Sequence, residues 1–201
     1  MEQTYVEADN AELISALLES GLEIQHVVAQ LKTLKPRAVP SQFSVRAATL
    51  ADVLQLIELE LEFELHMRTK PISAVFESES MEEMTQGFQE QLAMEDFVTL
   101  VALEGNLVVG MGYGCSTERS MLHSGNRRPE KSATLAKVVV SEAFRKQGLG
   151  SALATETINA LTGMGFNTIV SDWRLKNVSA GNTWSKLGFE PTWFRLVPVA
   201  K

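Results

Sequence analysis

The sequence predicts a mixed α/β fold, and three observations support this prediction. Short apolar runs typical of strands alternate along the chain with amphipathic segments typical of helices. The strand-like run Leu135–Val140 leads to two glycines, Gly148 and Gly150, at which a helical segment begins. The chain has 201 residues, of which 45% are hydrophobic, and this is enough for one domain with a full core. We therefore expect a β-sheet flanked by helices.

The first forty residues predict two helices and a linker. Asp9 followed by Glu12 resembles a capping box, and the apolar residues after it recur at helical spacing up to Gly21, which is typical of a C-cap. A second helical spacing is formed by Ile24, Val27, Val28, Leu31 and Leu34. Pro36 and Pro40 then end the pattern. We expect a helical extension over residues 1–40, packed on a main domain over residues 41–201 or on a partner subunit.

In the main domain, strands and helices interleave. Thr49–Asp52 is a capping box that opens the first helix, and Gly105–Asn106 is the turn of a β-hairpin. A polar loop over residues 116–131, which includes His123, precedes the next strand. The predicted strands are 43–47, 97–103, 107–113, 135–140, a run around Ile169 and a last one near 193–196; the predicted helices are 49–65, 81–93, 148 to 163 or 165, and 180–187.

The strand-to-helix junction Arg145–Gly150 is the most informative motif. Its glycines expose successive backbone N–H groups, and the helix that follows adds the positive end of its dipole. Such groups bind a phosphate or a diphosphate through charge-assisted hydrogen bonds worth about 1.5–3 kcal/mol each. Taken alone, the motif is also compatible with a tight, closely packed turn that binds nothing.

A second motif, Asn177-x-x-Ala180 followed by Gly188-Phe189, comes after the strand around Ile169. With the first motif it resembles the GNAT superfamily of acyl-CoA-dependent N-acyltransferases, whose phosphate motif reads Arg/Gln-x-x-Gly-x-Gly/Ala after a strand that ends in valine. The resemblance covers the chain from Phe43 to its C-terminus. The matching positions are Val140, Arg145, Gly148, Gly150, Asn177, Ala180, Gly188 and Phe189.

The resemblance implies a GNAT-like mixed β-sheet, splayed at its centre and flanked by helices. It also implies that acetyl-CoA, or another acyl-CoA, binds between the strands 135–140 and 168–173, with its diphosphate on the amides of the helix start. The pantetheine arm would then be hydrogen-bonded to the strand as an added strand would be. Asn177 is implied to hold this arm, but it is equally compatible with a plain helix N-cap. The implied cofactor-binding residues are Val138, Val139, Val140, Arg145, Lys146, Gln147, Gly148, Leu149, Gly150, Ser151, Asn177, Ala180 and Trp184.

A dinucleotide-binding βαβ unit is the main alternative for this region, since Asp172 ends the second strand. The third glycine position of that motif is Leu153, however, and seven residues separate Val140 from Gly148. In a dinucleotide-binding unit the glycine-rich turn directly follows the strand, without such a spacer. The sequence therefore argues against a dinucleotide site.

Acyl transfer to an amine requires an ammonium group to lose a proton, which costs about 4–5 kcal/mol at pH 7 for a pKa near 10.4. The sequence departs from the GNAT pattern at both groups that ordinarily move protons. Trp184 occupies the position of the tyrosine acid, and the strand Ser132–Lys137 has no carboxylate for a base. Asp172 and Glu130 remain as candidate bases, although each also fits a structural or solvated role. Tyr113 is a candidate to orient the acceptor.

Composition argues against several classes of function. The formal charge of −7 does not fit a nucleic-acid-binding protein. No apolar run is long enough to span a membrane and the N-terminus has no signal pattern, so we expect a cytoplasmic protein without a membrane partner. Cys115 is the only cysteine, and it fits a buried residue better than a nucleophile. No His, Cys and Asp cluster has metal-ligand spacing, so we predict no metal.

Residues 58–96 contain eleven acidic side chains and only two basic ones, Arg68 and Lys70. This segment is either a solvated helical face or a negative rim that attracts a cationic amine. We expect the acceptor pocket between segments 63–95 and 116–131, which carry no recognisable substrate motif.

Two functions are compatible with these observations. The first is an N-acetyltransferase that moves the acetyl group of acetyl-CoA to a primary amine of a small molecule, a peptide or a protein by direct attack in a ternary complex. The second is a non-catalytic acyl-CoA sensor or interaction module, because the usual tyrosine acid and glutamate base are missing. A homodimer, formed through the N-terminal arm or the last strand, is compatible with either function.

Overall fold

The structure, a computed structural model, describes residues 3–72, 74–77, 79–119 and 128–199. The strands are β1 (Thr4–Glu7), β2 (Leu22–Leu31), β3 (Ser44–Ala47), β4 (Phe97–Glu104), β5 (Leu107–Ser116), β6 (Ser132–Val140), β7 (Thr168–Arg174) and β8 (Phe189–Pro198). The helices are α1 (Ala11–Glu19), α2 (Val53–Arg68), α3 (Met81–Ala93), α4 (Leu149–Gly163) and α5 (Val178–Leu187). All the strands belong to one mixed sheet in the order β1-β8-β2-β7-β6-β5-β4-β3. The predicted α/β class is confirmed.

The N-terminal segment is mainly extended rather than helical. The second predicted helix, Ile24–Leu34, is wrong, because Leu22–Leu31 forms β2, which lies between β8 and β7 and is antiparallel to both. The first predicted helix is confirmed as α1, but Asn10 rather than Asp9 caps it by accepting the Leu13 N–H. The expected helical extension therefore contributes two strands and one helix to the fold. The division of the chain at residue 40 stays a prediction.

One β-bulge and burial on both faces explain the irregular apolar pattern of β2. The register with β8 shifts between Ile24 and His26, where Gln25 is an extra residue of β2, and between Val28 and Ala29, where Thr192 is an extra residue of β8. Only the first shift adds a residue to β2 and so resets the alternation of its side chains. Val27, Val28 and Ala29 are buried in succession, as in other interior strands that read as continuous apolar runs. The apolar pattern of β2 therefore reflects burial inside the sheet.

The other predicted elements are confirmed, with differences of a few residues at their ends. The capping box at Thr49 and Asp52 is present, and a 3-10 turn, Leu50–Asp52, precedes α2. In the part of the chain that the structure describes, none of the helices combines the length and the apolar character needed to cross a bilayer. His123 lies outside the described residues.

Helix α4 packs closely on β5 because a glycine of that strand leaves room for it. A Cβ atom added at Gly112 would lie 2.6 Å from Oγ1 of Thr157 and 3.1 Å from Cγ of Leu153. A larger residue at this position would push the helix away from the sheet. The close packing thus fixes the helix start relative to the end of β6.

The parallel strands β6 and β7 separate near the centre of the sheet. Their ladder consists of Ser132↔Thr168, Ala133↔Ile169 and Thr134↔Val170. At the next position the Ser171 hydroxyl donates a hydrogen bond of 2.9 Å to the Leu135 carbonyl, and no further pair joins these two strands, both of which are fully described. We call the space between Leu135–Val140 and Ser171–Arg174 the strand gap, and the Ser171–Leu135 contact its closed end. The predicted splayed sheet is confirmed.

A buried carboxylate fixes the start of α2 against the edge strand β3. Asp52 is 3% exposed and accepts hydrogen bonds from both terminal nitrogens of Arg46, at 2.7 and 2.8 Å, and from the Thr49 N–H at 2.7 Å. These contacts, with the Arg46 hydrogen bonds as the largest cause, lower the pKa of Asp52 to about 2. The carboxylate therefore stabilises the fold in its ionised form.

We expect Asp52→Asn to lower the free energy of unfolding at pH 7 by about 2 kcal/mol, because charge-assisted hydrogen bonds are lost at a buried site. Since the folded pKa lies below the ordinary value of 3.8, this contribution is present above pH 3.8 and is lost as the pH falls toward about 2. Urea unfolding at neutral and acidic pH measures both effects, and Asp9→Asn, at an exposed acidic position, is the control. An identical pH dependence in wild type and Asp52→Asn would contradict the assignment.

Candidate active site

The start of α4 lies just beyond the end of β6 and presents backbone N–H groups that no side chain covers. Gly148 is the N-cap residue, with φ of +83°, a left-handed conformation that favours glycine. Among the described residues no side chain caps this helix, whereas Ser80 caps α3 and Asn177 caps α5. A Cβ added at Gly148 would meet no atom within 4 Å, so the space beside the amides is open. The amides and the helix dipole together fit an anionic group such as a diphosphate.

Backbone groups of Val138 and Val140 face the strand gap. The N–H of Ser141 donates to the Val109 carbonyl of β5 at 2.9 Å, and backbone groups alternate in direction along a strand. Ser141 and Val139 therefore direct their backbone groups toward β5, and the backbone groups of Val138 and Val140 point away from β5. An extended ligand that lies in the gap could use them as an added strand would.

Arg145 holds the turn that leads into α4. Its Nε donates to the Val140 carbonyl at 2.8 Å and its Nη2 donates to Glu62 of α2 at 2.9 Å. The same oxygen of Glu62 accepts the Glu142 N–H at 2.6 Å. Lys146 is exposed in this turn and has a left-handed φ of 62°. These contacts give Arg145 a structural role, and the diphosphate contacts of both basic residues stay predictions.

Asn177 and Trp184 both have structural contacts. Oδ1 of Asn177 accepts the Ala180 N–H at 3.2 Å, so the N-cap interpretation is confirmed, and its Nδ2 lies 3.5 Å from Sδ of Met67 at the end of α2. Trp184 is 7% exposed, and its ring packs edge-on against Phe189 with 5.9 Å between the ring centroids. The indole thus belongs to the hydrophobic core, and a cofactor contact for either residue stays a prediction.

A buried polar cluster flanks the strand gap on the β6 side. Lys137 forms an ion pair with Glu60 of α2, and its Nζ lies 4.4 Å from the ring centroid of Phe63 and 5.6 Å from that of Tyr113. The side chains of Lys137 and Glu60 are 17% and 13% exposed. Among the described residues, Oε2 of Glu60 has no hydrogen-bond partner. An unpartnered oxygen of this kind can accept a hydrogen bond from a bound ligand.

The surroundings of Lys137 favour its charged form. Burial opposes the charge, but the contacts with Tyr113 and Glu60 outweigh it, so that the pKa of Lys137 is raised. Burial also raises the pKa of Tyr113, which keeps its phenol protonated at neutral pH. Tyr113 can therefore donate a hydrogen bond, as its predicted role in orienting the acceptor requires.

On the β7 side, Asp172 contacts a histidine that the sequence analysis missed. Nδ1 of His26 lies 3.1 Å from Oδ2 of Asp172, and the two side chains are 13% and 20% exposed. The register of β2 with β7 places His26 opposite Arg174 and Val28 opposite Asp172, so His26 and Asp172 are diagonal neighbours. The histidine was missed because its segment was predicted to be a helix outside the sheet.

Asp172 and Lys137 point to the same face of the sheet. Ile169 and Trp173 pack into the core beside α4 and α5, and side chains alternate along a strand, so Asp172 points to the opposite face. Lys137 also points to that face, because it contacts Glu60 of α2. The two polar clusters therefore lie on either side of the closed end of the strand gap, on the face that α2 covers at β5 and β6.

The remaining candidates lie elsewhere. Glu130 lines a cavity with Lys131, Ser132 and Phe166 in front of β6, at the paired end of β6 and β7, and the structure does not bring it to the strand gap. Cys115 is buried, and burial is the largest cause that raises its pKa to about 11. Its thiol therefore stays protonated at neutral pH, which favours the structural interpretation.

Three of the four acidic residues of α2 form ion pairs, and the fourth, Glu58, is exposed. The ion pairs are Glu60–Lys137, Glu62–Arg145 and Glu64–Arg68. The first two connect α2 to β6 and to the turn before α4. Neither a solvated face nor a negative rim describes these two carboxylates.

We expect Lys137→Met to lower the free energy of unfolding by about 3–5 kcal/mol, because it leaves a carboxylate buried without its partner. In the double variant Lys137→Met/Glu60→Gln the loss should be much smaller, since no uncompensated charge remains. Urea unfolding of wild type, both single variants and the double variant gives the coupling energy. Strictly additive losses would show that the two side chains are not coupled.

Comparison with solved structures finds the same fold in acetyltransferases. A GCN5-related N-acetyltransferase from Sphaerobacter thermophilus has a TM-score of 0.66 at 15% identity, over 96% of this chain and 57% of its own. The aminoglycoside acetyltransferase meta-AAC0020 from an uncultured soil metagenomic sample has a TM-score of 0.54 at 22% identity, over 73% and 87% of the two chains. The aminoglycoside N-acetyltransferase AAC(6')-Iy in complex with CoA has a TM-score of 0.59 at 17% identity, over 79% and 93%. This chain thus spans little more than half the length of the first of these relatives.

At these identities the structural likeness shows the fold. A search of curated proteins gave no match. Residues 59–189, which are more than half of the chain, match the model of the Acetyltransferase (GNAT) family. Together with the splayed sheet and the glycine-rich helix start, this match shows that the chain belongs to the GNAT acetyltransferase family.

Proposed function

We propose that the protein transfers an acetyl group from acetyl-CoA to the primary amine of a small-molecule acceptor by direct attack in a ternary complex. The observation that carries the proposal is the strand gap, which opens beside an uncapped helix start and is edged by backbone groups of Val138 and Val140. Two of the structural relatives are aminoglycoside acetyltransferases, and one of them is in complex with CoA. These relatives support a small amine as the acceptor and CoA as the acyl carrier.

The residues of the gap indicate how the acyl donor would lie. The diphosphate would bind the amides from Gln147 to Ser151, at the open end of the gap. The distance from Val140 back to Leu135 is about 16 Å for five residues of strand. A pantetheine arm that follows the backbone of β6 would thus bring its thioester, which supplies the acetyl group, to the closed end. Lys137 and Asp172 flank that end.

The acceptor would approach on the face that carries both polar clusters. A primary amine near neutral pH is mostly an ammonium ion, and the carboxylate of Asp172 on this face favours a cation. The unpartnered Oε2 of Glu60 can accept a hydrogen bond, and the phenol of Tyr113 and the ammonium of Lys137 can donate one. A peptide or protein acceptor, a homodimer and a cytoplasmic location stay predictions. Strand β8 pairs with β1 on one edge and with β2 on the other, so a dimer cannot form by adding a strand to β8.

We expect Gly150→Glu to weaken CoA binding by at least about 100-fold, which equals about 2.7 kcal/mol, because a negative charge replaces the diphosphate at the amides. A Cβ at Gly150 would lie 3.6 Å from Cγ2 of Val140, an ordinary contact, so the fold should tolerate the change. Gly163→Glu, at the other end of α4, is the matched control, since a Cβ there meets no atom within 4 Å. Calorimetric titration with CoA measures the affinity. Equal affinity in both variants would contradict the diphosphate site.

Activity is tested by thiol release from acetyl-CoA in the presence of a panel of amines that includes aminoglycosides, amino acids and polyamines. We expect amine-dependent thiol release together with an acetylated product seen by mass spectrometry. Binding of acetyl-CoA without transfer to any amine of the panel would contradict the proposal and favour the acyl-CoA sensor. Gly150→Glu serves as the inactive control.

A further inference from the structure

We infer that His26 of β2 accepts the proton that the acceptor amine must lose, and that Asp172 is the positioning residue for its imidazole ring. The inference rests on the proposed function, because it names the base of the same site. It assigns a role in the reaction to strand β2, which lies outside residues 59–189, the part of the chain that matches the family model.

The hydrogen bond to Asp172 determines which ring nitrogen of His26 is basic. A carboxylate accepts hydrogen bonds, so the Nδ1 atom, at 3.1 Å from Oδ2 of Asp172, carries the proton in the neutral ring. Nε2 then has a free lone pair. Among the described residues, Nε2 has no hydrogen-bond partner, although it is buried. A buried polar atom without a partner costs about 1–3 kcal/mol, and an N–H group of the bound amine would satisfy it.

Burial keeps the ring of His26 neutral against the carboxylate that it contacts. Asp172 and Arg174 face it from β7, and Arg195 faces it from β8. Burial, which is the largest cause, lowers the pKa of His26 below its ordinary 6.5, and both guanidinium groups act in the same direction against the carboxylate. A neutral imidazole at physiological pH is able to accept a proton.

The pair also lies at the reactive end of the strand gap. Asp172 directly follows Ser171, whose hydroxyl closes the gap at the Leu135 carbonyl. The side chain of Asp172 points to the acceptor face, as argued above, and His26 lies diagonally beside it. His26 lies on the side of β7 away from the gap, so that Asp172 lies between its ring and the closed end at which the thioester carbon and the amine nitrogen would meet.

In the step that we assign to His26, the ammonium group of the acceptor gives one proton to Nε2 and becomes a neutral amine. The amine nitrogen attacks the carbonyl carbon of the thioester, a C–N bond forms and the C–S bond breaks. The second proton of the nitrogen goes to the leaving sulfur, which gives an amide and free CoA thiol. The imidazolium then returns its proton to water, so that atoms and charges balance.

The test compares His26→Asn with His26→Ala, and uses His66→Gln as a control at an exposed histidine of α2. An asparagine amide can replace Nδ1 as a donor to Asp172 but has no basic nitrogen. We expect kcat/KM at pH 7 to fall by about 10²–10⁴-fold in both His26 variants, with unchanged affinity for CoA. If His26 only holds Asp172 in place, His26→Asn should keep near wild-type activity, and this result would overturn the inference.

The pH profile of kcat/KM separates the roles further. In wild type we expect a plateau that begins below pH 6.5 and extends to the pKa of the acceptor amine, because His26 deprotonates the bound ammonium. In His26→Asn the reaction needs an amine that is already neutral, so kcat/KM should rise about tenfold per pH unit up to an amine pKa near 10.4. A plateau that persists in His26→Asn would also overturn the inference.

A measurement without turnover separates failure of this inference from failure of the proposed function. Imidazole ¹⁵N resonances of the wild-type protein, assigned with His26→Asn, should show at pH 7 a neutral ring with the proton on Nδ1. A charged ring, or a proton on Nε2, would overturn the assignment of His26 even if the protein is an active acetyltransferase. If the tautomer is as expected but no amine is acetylated, then the proposed function fails and the inference fails with it.

Discussion

The geometry of the site depends on how β6 and β7 separate. Parallel strands form a continuous ladder wherever both backbones are free to pair, but here the Ser171 hydroxyl takes the Leu135 carbonyl directly after the last pair. From this point the gap-facing groups of β6 have no strand beside them. The same separation places Asp172 and Lys137 on opposite sides of one opening. The gap and the position of the two polar clusters on its two sides thus follow from one interruption in strand pairing.

Helix α2 connects both ends of this opening through two carboxylates. Glu62 contacts Arg145 and the Glu142 N–H in the turn before α4, and Glu60 contacts Lys137 farther back along β6. Charge-assisted contacts of partly buried groups are stronger than those of exposed pairs. The helix that covers the acceptor face is therefore coupled to the turn that would bind the diphosphate. A displacement of α2 would disturb the acceptor face and this turn together.

Three buried side-chain polar atoms of the described residues have no hydrogen-bond partner, Nε of Arg195 on β8 and one atom in each polar cluster. Most buried polar groups in folded proteins have hydrogen-bond partners, yet Oε2 of Glu60 and Nε2 of His26 have none among the described residues. Both belong to the clusters that flank the closed end of the gap. Their positions agree with a polar ligand between the two clusters. The second atom comes from β2, so the N-terminal segment contributes to the site as well as to the sheet.

Much of the fold could be predicted from local patterns. The hairpin at Gly105–Asn106, the capping box at Thr49 and the glycine-rich helix start each depend on residues close together in the chain, and such patterns report local backbone conformation directly. The two GNAT motifs are also local, and the family resemblance that they carry implied the splayed sheet. The error at β2 has a physical cause, because a bulge at Gln25 and the burial of three successive residues, Val27–Ala29, gave an apolar spacing like that of a helix.

By itself, the sequence determined the fold class, the family resemblance and the helix start with its open glycine, since each is encoded in short segments. Only the tertiary structure decided which side chains meet at the gap. Glu60 and Lys137 are far apart in the chain, and so are His26 and Asp172, and their contacts depend on strand order and register. Strand order is set by the burial of whole faces rather than by local conformation. For that reason the contact of Lys137 with Glu60 on α2, and that of Asp172 with His26 on β2, could be found only once the sheet was assembled.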